Sequence, residues 1–377
     1  MRILRSLDWL LVASIVPLLV FGLLTMKSLS GDDYFFNRQL VWIALGVLAM
    51  VGATAIDWRS LKSSSVILLL YGFGVLLLFA LALMGLVTRG AKSWFYLGGA
   101  AIEPVELIKL ILVLLFAKYF SRRYVEIALW RHIAISFAYL VVPLALVFLQ
   151  PDFGSAAILF FIWISMLLFS GPTPRQIAVF VGGGLLIALV GWFFLLQPYQ
   201  KTRIVAFLYP ESDPQKSGYH AIQAMIAVGS GGVWGKGVGY GTQSRLNFLP
   251  ESQTDFMFAA FAEEWGLVGA LLLFICFGFL FWRILRISMR SPDNFSKLIG
   301  LGICFLLVGH IAIHVGMNLG LLPITGIGLP FMSYGGSFLV TLMAAIGILE
   351  SIAIRSSEVK AYEGEDVVVI SPLGPLD

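Results

Sequence analysis

This chain of 377 residues is 59% hydrophobic and 12% charged, with a mean hydropathy of +0.93. A soluble domain carries about 25% charged residues, so the composition excludes an ordinary soluble protein and indicates a polytopic membrane protein. The net charge of +4 comes with no basic tract suited to a nucleic-acid backbone, and Cys276 and Cys304 lie in apolar stretches without metal-type spacing.

A membrane span needs about 20 mostly apolar residues, and in lipid it must be helical to satisfy its own backbone. Ten stretches qualify: 9–26, 40–56, 65–87, 105–120, 134–149, 155–170, 177–196, 256–282, 298–317 and 335–354. Arg2 and Arg5 precede the first, and no small-residue cleavage site follows it. It therefore reads as a retained span, not a removed signal. The expected fold is an all-α bundle of ten transmembrane helices. One membrane domain spans 1–354, with a large extracytoplasmic loop at 197–255 between helices seven and eight. Residues 355–377 read as a cytoplasmic, mostly disordered tail.

Lys and Arg set the orientation. With the N-terminus inside, the inner segments hold fifteen of them, from Arg2 to Lys360. The short outer loops hold four: Lys27, Arg38, Arg89 and Lys92. Both termini are expected inside and the long loop outside. That loop is the only long polar interruption of the chain, and it is too apolar and aromatic for a disordered linker. It carries Lys201 and Arg203, seven glycines within residues 229–241, and then Leu249 to Asp255.

Three charged residues are expected at the outer face. Lys109 lies about four residues into span four, roughly 6 Å deep. Asp152 sits in the Gln150-Pro151-Asp152 turn between spans five and six, and Asp255 opens span eight. Ionisable groups at membrane depth are costly and mark function. Asp255 suits a general base, because a carboxylate near lipid is biased toward a higher pKa. A plainer reading makes Thr254 or Asp255 a helix N-cap. Asp152 reads as a turn and cap residue, or as a second carboxylate positioning Lys109 or a substrate group. Lys109, three residues after Glu106, reads as an internal ion pair or as a cation for a phosphate or an aspartate. Arg203 and Lys201 suit a diphosphate or anionic lipid headgroups. His310 and His314 have metal-pair spacing without a third ligand, which favours helix packing. Glu263 and Glu264 need partners but point about 100° apart. Gly235-Lys236-Gly237 lacks the Ser or Thr of a P-loop, so its glycines read as turn and packing residues. Asn318 to Gly336 reads as an outer segment able to re-enter the membrane and line a cavity.

Together the motifs resemble the SEDS family of bacterial cell-wall polymerases over nearly the whole chain. The matching stretches include Arg89 to Trp94, Pro104 to Lys109, Gln150 to Gly154, Gly235 to Gly237, Gly241 to Gln243, Leu249 to Glu251, Thr254 to Phe256, Glu263-Glu264, Asn318 to Gly326 and Ser333 to Gly336. The family usually has Gln-Pro-Ser-Glu where this chain has Glu103-Pro104-Val105-Glu106. The resemblance implies a glycosyltransferase that polymerises lipid II, the undecaprenyl-diphosphate-linked disaccharide pentapeptide. It places that activity at the outer face of the bacterial cytoplasmic membrane. It maps the family's essential aspartate to Asp255, and its lysine and Gln-Pro-Asp aspartate to Lys109 and Asp152. Short cytoplasmic ends fit the rod-shape (RodA-like) branch better than the division (FtsW-like) branch. The resemblance also implies a class B penicillin-binding protein, a transpeptidase, as partner. A divalent cation could help hold the departing diphosphate. The alternative reading is a lipid II flippase, which would need a polar path open to both sides; a third is a scaffold for a cell-wall complex.

Overall fold

A computed structural model of the chain describes residues 7–29, 33–62, 65–84, 94–97, 100–123, 129–190, 193, 201, 205, 207, 209, 217–246 and 248–366. Arg203 and the Arg89 to Lys92 part of the first motif lie outside them.

The described residues are mostly helical. In order they form α1 (Trp9–Leu29), α2 (Tyr34–Ala55), α3 (Val66–Met84), α4 (Pro104–Arg123), α5 (Trp130–Leu149), α6 (Phe153–Phe169), α7 (Pro174–Val190), α8 (Ser217–Ser230), α9 (Thr242–Arg245), α10 (Met257–Arg290), α11 (Asn294–Asn318) and α12 (Gly336–Asp366). Seven stretches are long and apolar enough to cross a membrane: α1, α2, α3, α5, α10, α11 and residues Gly336–Ser356 of α12. The apolar α6 is shorter, at 17 residues. A short hairpin, β1 (Phe95–Leu97) and β2 (Ala100–Ile102), pairs antiparallel with Phe95 opposite Ile102. No strand was expected; the signal for one is two apolar triplets split by Gly98-Gly99, a common turn pair.

Helix α4 is the axis of the bundle. It packs against α3, α5, α6, α11 and α12, and from Pro104 to Lys118 only Leu107 is exposed. It also carries Glu106 and Lys109, so its polar side chains must find partners inside the protein. The peripheral α3 is the opposite case. Leu69, Leu76, Leu83 and Met84 stand largely exposed, as a lipid-facing surface allows. Small residues bring backbones together at the helix crossings. A Cβ added at Gly347 of α12 would meet the Met50 carbonyl of α2 at 2.2 Å, and one at Gly22 of α1 would meet the Met332 carbonyl at 2.6 Å.

Helix α10 is broken at Gly266, which takes φ 66° and ψ −163°. The glycine-rich loop is stitched into the break. The amides of Leu267 and Val268 donate to the Gly232 and Val233 carbonyls at 2.9 and 3.1 Å. The amides of Lys236 and Gly237 donate to the Glu263 and Glu264 carbonyls, both at 3.0 Å. The glycines are needed for this approach: Gly235 has φ 80°, and a Cβ there would lie 2.1 Å from the Glu264 carbonyl oxygen. Met257 to Glu264 are all buried, whereas Leu267, Val268, Leu271 and Leu272 are exposed. The outward-facing part of α10 therefore begins after Gly266, ten residues later than the apolar run in the sequence.

Candidate active site

The turn that delivers Asp255 is built from its own backbone. Glu251, at φ 52°, offers one carbonyl to the amides of Thr254, Asp255 and Phe256 at 3.0, 3.1 and 3.3 Å. Ser333 Oγ donates to the Thr254 carbonyl at 2.7 Å and accepts from the Leu329 amide at 2.8 Å. The Tyr334 amide donates to the Gln253 carbonyl at 2.8 Å. The non-helical segment 319–335 thus fixes residues 253–255 from one side. Its Gly326, at φ 77°, lies under the carboxylate, where an added Cβ would sit 3.6 Å from Asp255 Oδ2.

Helix α11 fixes the same turn from the other side. The first turn of α10 has free N–H groups that need acceptors. Two of them find acceptors on α11. The Phe258 amide donates to His314 Nε2 at 3.2 Å, and the Ala259 amide donates to Asn318 Oδ1 at 3.1 Å. Asn318 Nδ2 donates to the Asp255 carbonyl at 3.1 Å and to the His314 carbonyl at 2.7 Å. Because His314 Nε2 accepts, the ring proton is on Nδ1, which donates to the Ile327 carbonyl at 2.7 Å. His314 and Asn318 therefore cap the first turn of α10. The half-buried Asp255 side chain faces the 319–335 segment.

Lys109 is fully buried. Its Nζ lies 2.7 Å from Glu106 Oε1 and 3.5 Å from His310 Nε2, so the ion pair read from the spacing is present with a histidine added to it. His310 stacks on Phe338 at 4.8 Å between centroids. If Lys109 donates to Nε2, the His310 proton is on Nδ1, which points toward the Gly328 carbonyl without reaching strict hydrogen-bond geometry.

Asp152 is the N-cap of α6, accepting from the Ser155 amide at 3.0 Å. The preceding Gln150 donates to the Leu78 carbonyl at 2.9 Å. At Gly154 an added Cβ would meet the Thr325 carbonyl at 2.9 Å, so the 319–335 segment touches the Asp152 turn as well as Asp255.

The residue that ties these groups together is Glu103. Its amide donates to Ser337 Oγ at 3.1 Å, which seats it between β2 and the start of α4. Burial of the carboxyl pushes its pKa well above the usual carboxylate range. The charges of Glu106, Asp152 and Asp255 push the same way, and Lys109 partly opposes them. Lys109, Asp152 and Asp255 thus share one electrostatic neighbourhood with two further carboxylates. No hydrogen bond or ion pair joins the half-buried Lys201 to it among the described residues, and Arg203 lies outside those residues. Among the described residues no three His, Cys, Asp or Glu are grouped to hold a metal.

Sequence reasoning named Lys109, Asp152 and Asp255, read His310 and His314 as helix-packing residues, and gave no role to Glu103 or to the Asn318 side chain. The signal for the last three is their spacing. Polar residues at 310, 314 and 318 form one stripe on an otherwise apolar helix.

The profile of the cell cycle proteins FtsW, RodA and SpoVE matches residues 4–358. The chain belongs to this family. Among curated family members, the peptidoglycan glycosyltransferase MrdB of Escherichia coli K12 is 38% identical over 92% of this chain and 93% of its own length. Stage V sporulation protein E of Bacillus subtilis is 36% identical over 92% of this chain and 97% of its own. Two solved structures of the family are also similar. One, titled for the structural coordination of polymerization and crosslinking by a peptidoglycan synthase complex, has a TM-score of 0.80 at 28% identity, covering 93% of this chain and 98% of that one. Thermus thermophilus RodA has a TM-score of 0.69 at 27% identity, covering 92% and 96%.

Proposed function

We propose that the chain is a peptidoglycan glycosyltransferase of the elongation branch, polymerising lipid II at the outer face of the cytoplasmic membrane. In this reading the ten apolar stretches are ten spans, residues 197–255 are extracytoplasmic, and both termini are cytoplasmic. The similarity to MrdB and to the synthase complex supports the activity and a class B penicillin-binding protein as partner. The observation that carries the site assignment is that Asp255 and the Asp152 turn both meet the 319–335 segment, while Glu103 feels the charges of Asp255, Asp152, Glu106 and Lys109.

The step is an inverting glycosyl transfer. The acceptor's sugar 4-hydroxyl oxygen bonds to the anomeric carbon at the lipid-linked end of the donor strand. The bond from that carbon to the diphosphate oxygen breaks, and its electron pair leaves on undecaprenyl diphosphate. The hydroxyl proton passes to the Asp255 carboxylate and then to water. The His314–Asn318 clamp and the Ser333 and Tyr334 bonds fix the backbone on the two sides of Asp255, so the base meets the acceptor already oriented. Lys109 is buried against Glu106, so its part is electrostatic: it offsets the negative charge that Asp152, Glu103 and Glu106 bring near the base. Lys201 and Arg203 are assigned to the leaving diphosphate on chemistry, since guanidinium and ammonium groups stabilise developing phosphate charge.

The test is strand synthesis from purified lipid II by the purified chain, with and without the transpeptidase, beside a dye-quench assay of lipid II flipping. Glycan ladders without flipping support the proposal. Flipping without ladders refutes it in favour of a carrier.

A further inference from the structure

At the end of the bundle remote from Asp255, three candidate spans finish at one level. The first span begins at Trp9, α10 ends at Arg290, and the apolar part of α12 ends at Ser356. Between them lies a cleft of about 420 Å³, lined by Leu7 to Leu10, Arg283, Arg286, Ile287, Arg290, Ala353 and Ser356.

The three arginines are not equivalent. Arg283 is committed to Asp8: its Nε donates to Asp8 Oδ1 at 2.9 Å and its Nη2 to Asp8 Oδ2. Asp8 is itself occupied. Its carboxylate accepts from the Leu11 amide at 3.2 Å, and its amide donates to Glu350 Oε2 at 2.8 Å. Arg286 lies over the Trp282 ring at 5.1 Å, a contact that leaves guanidinium hydrogens available. Neither Arg286 nor Arg290 has a carboxylate partner among the described residues. Arg283, Arg286 and Arg290 are spaced three and four apart and so share one face of α10. The rim is apolar and open: Trp9 is 59% exposed, Leu10 47% and Met289 77%.

We infer that this cleft binds the phosphate of an anionic phospholipid, with Arg286 and Arg290 gripping the phosphodiester and Trp9 and Leu10 bedding an acyl chain. Three features together make the case. Two guanidinium groups line one pocket whose lining carboxylate, Asp8, is taken up by Arg283, and guanidinium forks match phosphate oxygens. The level at which three spans end is where headgroups lie. The exposed apolar rim gives an acyl chain a way in from the side, which a free phosphate ion would not need. Arg283, pinned by Asp8, shapes the floor. Phosphate is the shared chemistry of a lipid headgroup and a free anion, and the rim favours the lipid.

The test is native mass spectrometry of the purified full-length chain titrated separately with phosphatidylglycerol, phosphatidylcholine and inorganic phosphate. We expect retained phosphatidylglycerol to exceed phosphatidylcholine, with binding falling about fivefold for each arginine removed in Arg286→Gln and Arg290→Gln. The double Arg→Lys variant should keep most of it, which separates loss of charge from loss of fold. If the double Gln variant does not fold, the wild-type titration decides alone. Equal retention of the two lipids, or unchanged retention in a folded double Gln variant, overturns the inference. Displacement of lipid by millimolar inorganic phosphate, with no preference between lipids, would assign the cleft to a free anion and overturn the lipid source. No readout involves polymerisation, so the result stands apart from the proposed activity.

Discussion

The molecule holds two groups of carboxylates in different ways. Glu263 is surrounded by donors: Lys236 Nζ at 2.8 Å, Thr242 Oγ1 at 3.2 Å, the Gln243 and Ser244 amides at 2.9 and 3.1 Å, and Ser244 Oγ at 2.9 Å. Glu264 accepts from Ser28 Oγ at 2.8 Å and the Gly239 amide at 2.9 Å. These two acids rivet the glycine-rich loop to α10 and α1, one from each side of the helix. Glu103 instead feels the charges of Glu106, Asp152 and Asp255 together, opposed by one ammonium, that of Lys109, which is paired to Glu106. A carboxylate with its acceptor capacity filled holds structure. A carboxylate crowded by like charges, as Glu103 is, is held toward its protonated form.

The contrast can be broken first at Asp255. Asp255→Ala should lower strand synthesis from lipid II by about 10²–10⁴-fold while the chain elutes and melts as wild type. Robust ladders from that variant would remove Asp255 as the base. Glu263→Ala should do the reverse and act on stability. It leaves Lys236 and several amides without their acceptor, at a cost of about 3 kcal/mol, read as a lower melting temperature and faster proteolysis within residues 231–245. An unchanged melt would mean that the rivet is redundant.

Between these extremes stands the clamp. Asn318→Ala removes one cap of α10 and should cost about 1 kcal/mol of stability. Its effect on synthesis should fall on kcat with KM little changed, because Asp255 is displaced and no substrate contact is lost. A rise in KM alone would speak for direct substrate binding. Gly235→Ala should destabilise by about 1–3 kcal/mol, since the position combines a left-handed φ with a 2.1 Å approach to the Glu264 carbonyl. Protein that melts unchanged would show that the loop can shift away from the break.

The smallest effect is a pH dependence. The folded protein holds the Glu103 carboxyl well above its ordinary pKa, so the native state binds more protons than the unfolded one across that window. Stability therefore declines as pH rises from the ordinary carboxylate range up to the raised value. Glu103→Gln should abolish that part of the decline and raise the melting temperature slightly at neutral pH. Parallel melting curves for the two proteins from acid to neutral pH would contradict it.

Much of this protein was legible as sequence because lipid imposes a simple rule on composition. The apolar stretches could only be buried in membrane or in one another, and helices α1–α3 and α10–α12 lie where those stretches lie. Lys109, Asp152 and Asp255 stood out for the same reason, as charges in places that penalise charge. Residues whose importance depends on a neighbour distant in the chain stayed hidden. Glu103 looks like a loop residue until Asp152 and Asp255 arrive beside it. His314 and Asn318 look like packing and segment-end residues until the first turn of α10 arrives to be capped by them. The charges of α4 were legible in the sequence, but only packing reveals that α4 is encircled by protein while α3 lies at the periphery.

The sequence by itself determined that the chain must fold in a membrane, that it belongs among the SEDS proteins, and which three charges to suspect. Tertiary structure decided which carboxylates are saturated and which are crowded, and where α10 breaks to admit the loop. It also decided that a histidine and an asparagine from α11 hold the turn that carries Asp255. The reason is physical: transfer into lipid is a sum over residues and can be read along the chain, whereas hydrogen bonds and charge coupling exist only between groups that the fold brings together.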